Sequence, residues 1–104
     1  MPTTPNTPKG AILRKKAEVT KAEEGASDLL WYVRHKNRGI PEGTPEIIVA
    51  DALKAAAEIE AEADEGYLAS LLEQGVEYGM LVGRLTALRW VLGMEWDEDA
   101  ILDT

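Results

Sequence analysis

Five carboxylates have the type and spacing that could do chemistry in this 104-residue chain. Glu58, Glu62 and Glu65 fall on one face of a predicted helix, because steps of three and four residues return to the same side. Glu73 and Glu77 share a face on the next segment. A hairpin turn near 64–66 would bring the two faces together. Converging carboxylates are hard oxygen ligands, suited to Mg²⁺ or Mn²⁺. The plainer reading of the same acids is a solvated helix face. That plainer arrangement is the expected one, and no cofactor is expected.

The spacing Glu62-x-x-Glu65 resembles the first of the paired E-x-x-E and E-x-x-D motifs of helical pyrophosphohydrolases that act on nucleotides. The resemblance implies, as an alternative function, a divalent-metal-dependent nucleotide hydrolase built on helix carboxylates. No second pair stands at the required place. A di-iron bundle would need Glu-x-x-His, and the single histidine, His35, has no such setting. Ser27 and Ser70 lack the surroundings of an activated nucleophile. There is no cysteine, which excludes thiolate catalysis, disulfides and cysteine-ligated zinc. There is no phosphate-binding glycine loop. The inventory leans away from an enzyme.

A second constellation is basic. Arg34, His35, Lys36 and Arg38 follow Trp31 and Tyr32, a pairing of cations and aromatics that could contact nucleic acid through phosphates and stacking. The competing reading is a helix end whose cations complement the negative pole of the dipole. Charge distribution favours the latter. Residues 1–40 carry eight basic groups against four acids, whereas residues 41–104 carry three against fifteen. The acidic portion repels phosphate at range, so nucleic acid is not the expected partner. The same acidity could imitate nucleic acid and occupy a basic protein, a further alternative. The split also suits a basic arm lying on an acidic body.

The elements that must position these groups are helical. Residues 1–8 have the Pro and Thr content of a disordered tail. Residues 9–38 read as the first helix, with a seam of Ile12, Val19, Ala26 and Val33, supplemented by Ala22 and Leu29. Lys15 interrupts the seam, and Thr20 with Glu23 fits a capping box, so a break near 18–26 is allowed. The run Leu29-Leu30-Trp31-Tyr32-Val33 is apolar on more than one face and needs covering on more than one side. Gly39 ends the helix.

Thr44-Pro45-Glu46 is a start signal, with threonine as cap and proline in the first turn. The second helix then runs to about Ala63 along Ile48, Ala52, Ala56, Ile59 and Ala63, with Val49 and Leu53 beside them. A turn is expected at 64–66, with Asp64 capping the helix beyond it. That last helix is expected to run unbroken from Tyr67 to Leu92 and to stop at Gly93. The tail from 95 to 104 is acidic, with Trp96, Ile101 and Leu102 available for docking.

Within the last helix, Gly75, Gly79 and Gly83 recur every four residues and Ala87 continues the row. Each helical glycine costs roughly 1 kcal/mol relative to alanine, so close approach of another helix is the expected compensation. The alanine face of residues 48–63 is its expected intramolecular partner across a hairpin. Beyond the row, residues 80–92 are apolar in nearly every direction, more than short neighbours can cover. Arg84 and Arg89 interrupt them and need carboxylate partners.

The expected architecture is all-α: a small helical hairpin or three-helix bundle over 9–94, completed by oligomerisation. The expected function is protein–protein association by a small oligomerising protein. The predicted interface is Gly75, Gly79, Gly83, Leu85, Leu88, Trp90 and Leu92. The expected partner is a second copy of the chain, with another protein as the next choice. No apolar run reaches membrane-spanning length and no signal-like region opens the sequence, so a cytoplasmic protein is expected.

Overall fold

A computed structural model describes residues 12–97 and Ile101. The expected disordered stretch 1–8 and Leu102 lie outside the described residues. Within them the chain is helical without strands: α1 (Lys16–Arg38), α2 (Glu46–Glu62), α3 (Glu65–Leu72) and α4 (Val76–Val91).

α1 is the hub. It packs on each of the other three helices and most extensively on α4, while α3 also packs on α4. Its buried row is Ala26, Leu30 and Val33, preceded by half-buried Val19 and Glu23. The seam expected from Val19 onward is therefore present. Its early part is not. The helix starts at Lys16 rather than residue 9, and Ile12 and Ala22 are exposed. No break occurs at 18–26. Glu23, expected to close a capping box there, reaches across to α4 instead. The 29–33 run is covered on several sides: Leu30, Tyr32 and Val33 are buried, Leu29 is half-buried and only Trp31 is exposed.

α2 turns Val49, Ala52, Ala56, Ile59 and Ala63 inward. Ile48 and Leu53, expected on or beside that row, face outward instead. Thr44 does not cap α2. Its hydroxyl donates to the Pro41 carbonyl at 2.5 Å, tightening the loop, and Pro45 occupies the cap position without a side-chain bond. Asp64 caps α3 as expected, its carboxylate accepting from the Tyr67 amide at 2.9 Å.

The expected single helix from 67 to 92 is two helices. Gln74 sits at φ 56°, in the left-handed region, and its amide donates to the Leu71 carbonyl at 3.0 Å. One left-handed residue interrupts the helical run between α3 and α4. Gly75 then becomes the residue preceding α4, with φ −93° and ψ −137°. The far end of α4 closes as the sequence implies. Gly93 lies at φ 100°, its amide bonds to the Trp90 carbonyl, and the Met94 amide bonds to that of Arg89. This is a Schellman closure, which satisfies carbonyls the helix leaves open.

The core is Ala26, Leu30, Tyr32 and Val33 from α1, Ala56 from α2, Leu68 and Leu71 from α3, and Leu81, Val82 and Leu85 from α4, joined by Ile101. Thr86 is buried beside them, and its hydroxyl donates to the Val82 carbonyl at 2.8 Å. The expected hairpin of α2 on α4 is not how the chain packs. α4 lies against α1 and α3, and the glycine row faces away from α2.

Candidate association surface

Four-residue spacing places Gly79, Gly83 and Ala87 on one side of α4, and the break at Gln74 decides which side that is. The helix buries Leu81, Val82, Leu85 and Thr86. At 100° per residue, the opposite face holds Val76, Gly79, Met80, Gly83, Ala87, Trp90 and Val91. Only Glu77 and Arg84 edge it. This outer face is almost wholly apolar, yet open: Val76 is 78% exposed, Met80 57%, Trp90 59% and Val91 60%. A Cβ added to Gly75, Gly79 or Gly83 would meet nothing within 4 Å. Among the described residues the glycines therefore close no contact inside the chain, which corrects the expected pairing with the alanine face of α2.

The predicted interface is split by this geometry. Gly75, Gly79, Gly83 and Trp90 are exposed, while Leu88 and Leu92 are half-buried, Leu88 packing against the core. Leu85 is fully buried within the chain and does not face outward. Val76, Met80 and Val91 complete the surface and lie outside the predicted set. Helix phase relative to Leu81 and Leu85 identifies them once α4 is known to start at Val76.

Arg89 finds its carboxylate within the chain. Its Nε lies 3.5 Å from Oε2 of Glu23, tying α4 to α1 across the partly buried edge of the core. Arg84 stays exposed on the rim of the outer face.

The basic cluster is engaged internally. Arg34 donates to the Ile101 carbonyl. Lys36 lies 3.5 Å from Glu60 and over the Tyr32 ring, 5.9 Å from its centre. His35 stacks on Trp31 with ring centres 4.8 Å apart and planes at 10°. Arg38, the third cation considered for nucleic acid, lines a groove of about 260 Å³ with Trp31, His35, Ile40 and Ile48. The aromatics and cations thus join helix ends rather than form one open basic strip.

Tyr32, Lys36 and Glu60 also line a groove of about 410 Å³, with Glu65, Leu68 and Leu72. The Tyr32 hydroxyl donates to Glu60 at 2.7 Å. Burial and this bond push the Tyr32 pKa up to about 12. The Tyr32 hydrogen bond, with the nearby Lys36 charge, holds the Glu60 carboxyl below its ordinary range. A phenol this reluctant to ionise is a weak acid with almost no phenolate to act as a base at neutral pH, so the trio reads as a latch between α1 and α2.

The five carboxylates named for metal binding are dispersed. Glu58 and Glu62 are exposed on α2, Glu65 opens α3, Glu73 closes it, and Glu77 lies in the first turn of α4. The left-handed Gln74 separates Glu73 from Glu77, which a continuous helix would have stacked. Among the described residues no group of three or more His, Cys, Asp or Glu side chains stands together to hold a metal ion. No described helix is long and apolar enough to cross a membrane. No family model matches the chain, and no curated protein or solved structure is significantly similar to it.

Proposed function

We propose that this protein acts by protein–protein association, as a small helical module whose contact surface is the outer face of α4. One observation carries the reading: the face opposite the α4 core residues is apolar from Val76 to Val91, with Val76, Met80, Trp90 and Val91 exposed and Ala87 half-buried among them. Scattered exposed apolar residues are ordinary on a protein surface, but a continuous helix-length face is not. Trp90 supplies the large anchor that association surfaces commonly use. The open glycines beside it let a partner helix approach closely. The energetic logic is burial of apolar side chains, about 25 cal/mol per Å² removed from water.

Light scattering tests this with the intact chain. The mass is expected to exceed the monomer value at micromolar concentration. Trp90→Glu is expected to lower the mass without changing helical content, because the side chain is exposed and lies outside the core cluster. A wild-type monomer across the accessible concentration range, with no partner recovered through α4, overturns the reading.

A further inference from the structure

We propose that the basic segment leading into α1 seats in an acid-rimmed groove of a second copy, a contact separate from the outer face of α4. Residues 12–21 hold Arg14, Lys15, Lys16 and Lys21 against the single acid Glu18. Two branched apolar side chains open this run, Ile12 at 86% and Leu13 at 95% exposure. Arg14 lies 3.4 Å from Glu18 in an exposed pair, which contributes little. Among the described residues Lys15, Lys16 and Lys21 form no ion pair. Residues 12–18 are all exposed, so this stretch does not lie on the acidic part of its own chain.

The groove lies between α1 and the end of α2 and measures about 200 Å³. Small-molecule sites run to about 300–1,000 Å³, so this one has the size for side chains. Gly25 and Leu29 line it from α1, with Ile59 and Ala63 opposite. Leu29, Ile59 and Ala63 are half-buried, and Gly25 leaves open space above its Cα. Each helix adds one exposed carboxylate to the lining, Asp28 from α1 and Glu62 from α2. Neither forms an ion pair among the described residues. Apolar floor and paired acids call for apolar side chains next to cations, which is the order Ile12-Leu13-Arg14-Lys15-Lys16 supplies. Both halves of the match are on one chain, but they do not meet within it. Leu13 stands three residues before Lys16, a reach of about 11 Å. Leu29 lies about 20 Å along α1 from Lys16. A second copy has no such limit, and a reciprocal exchange fills two grooves with two segments and closes the pair.

The absence of cysteine makes disulfide trapping clean. Leu13→Cys and Gly25→Cys chains, mixed in equal amounts under mild oxidation, are expected to give a linked heterodimer, and each alone far less of any dimer. Position 13 is exposed and the side chain added at 25 enters open space, so folding does not limit the test. Lys15→Glu with Lys16→Glu in the Leu13→Cys chain is expected to abolish the link. The new acids suit the positive end of α1, so the helix is kept. Adding Asp28→Lys and Glu62→Lys to the Gly25→Cys chain is expected to restore the link, because both charges of the contact are then exchanged. A link that survives the first reversal, or is not restored by the second, overturns the proposal. So does a chain carrying both cysteines that closes on itself at high dilution, since the segment then fills its own groove. Sedimentation with anionic phospholipid vesicles, lost on Lys15→Glu with Lys16→Glu and found without any heterodimer, assigns the segment to a lipid surface instead. The heterodimer is expected to persist when both chains carry Trp90→Glu. Its loss there would make it a by-product of contact through α4 and overturn it. If it persists while Trp90→Glu leaves the wild-type mass unchanged, the reading of α4 fails alone.

Discussion

Gln74 is the residue on which the layout of the C-terminal half turns. Its φ of 56° belongs to a conformation that costs an L-residue with a Cβ roughly 1–2 kcal/mol. Glycine avoids that penalty but loses more chain entropy on folding. Gln74→Gly is expected to raise the unfolding free energy by about 0.5–1 kcal/mol, read from the urea midpoint. A lowered midpoint would show that the side chain, not the backbone, holds the break. Glutamine gives no left-handed signal in a sequence, and Gly75 beside it reads equally well as part of a glycine row. That is why residues 67–92 read as one helix. Tyr32 poses the opposite case, because aromatic identity predicts burial but not the partner of its hydroxyl. Its pKa rises from 10.0 to about 12 on folding, so the folded chain holds that proton more tightly than the unfolded chain. The contribution is complete below pH 10 and is lost as pH climbs toward 12. Glu60 acts in the other direction, its depressed pKa adding stability that disappears as pH falls through the carboxylate range. Tyr32→Phe is expected to cost about 1 kcal/mol at neutral pH. It is also expected to flatten the alkaline decline, as measured by thermal melts across pH. An unchanged alkaline decline would detach it from Tyr32.

At the scale of elements, α4 makes an unusual combination of a good core face and a good outer face. Its glycines decide between two energetics that a single substitution separates. In an isolated chain, alanine at position 79 or 83 fills open space and improves helix propensity by roughly 1 kcal/mol. In a close helix pair, the same methyl group pushes the partners apart. Gly79→Ala and Gly83→Ala are therefore expected to raise the melting temperature in dilute solution and to lower the mass at high concentration. A rise in both would mean that no helix approaches there. Gly79→Leu is likewise expected to leave the fold intact while blocking association. The helices themselves are legible in the sequence, because apolar seams of period 3.6 mark α1 from Val19 onward and the inner row of α2. Asp64 and Gly93 mark two of their ends. The pairing of the helices is not legible. An alanine face and a glycine row look complementary, but α1 has larger side chains, Leu30 and Val33, to offer α4, and burying them removes more area from water. Once α1 occupies the inner face, the glycines are left outside. The surface proposed for association results from that competition, which no local pattern records.

At the scale of the molecule, the core is completed from a distance. Ile101 is 3% exposed and belongs to the same cluster as Leu30 and Leu85, although it stands well beyond the end of α4 at Val91. Arg34 fixes the approach by donating to the Ile101 carbonyl. The composition of 95–104 suggests a docked tail through Trp96, Ile101 and Leu102; of the two that are described, Ile101 is buried and Trp96 stays largely exposed. Ile101 thus joins the basic end of α1 to the core. A buried isoleucine cut to alanine costs roughly 2–5 kcal/mol. A short tail can instead release the rest of the core at the cost of its own docking, so the low end, about 2 kcal/mol, is expected for Ile101→Ala. Truncation after Asp97 is expected to lose the same amount, because it removes the same contact and the same carbonyl. Arg34→Ala should reproduce part of that loss in the full chain and none of it in the truncated one. Urea melts of these chains, taken at a concentration low enough to exclude association, provide the comparison. If truncation leaves the midpoint unchanged, Ile101 is a passenger on a core that is already closed. If Arg34→Ala costs as much in the truncated chain as in the full one, the arginine acts within α1 and not through the tail.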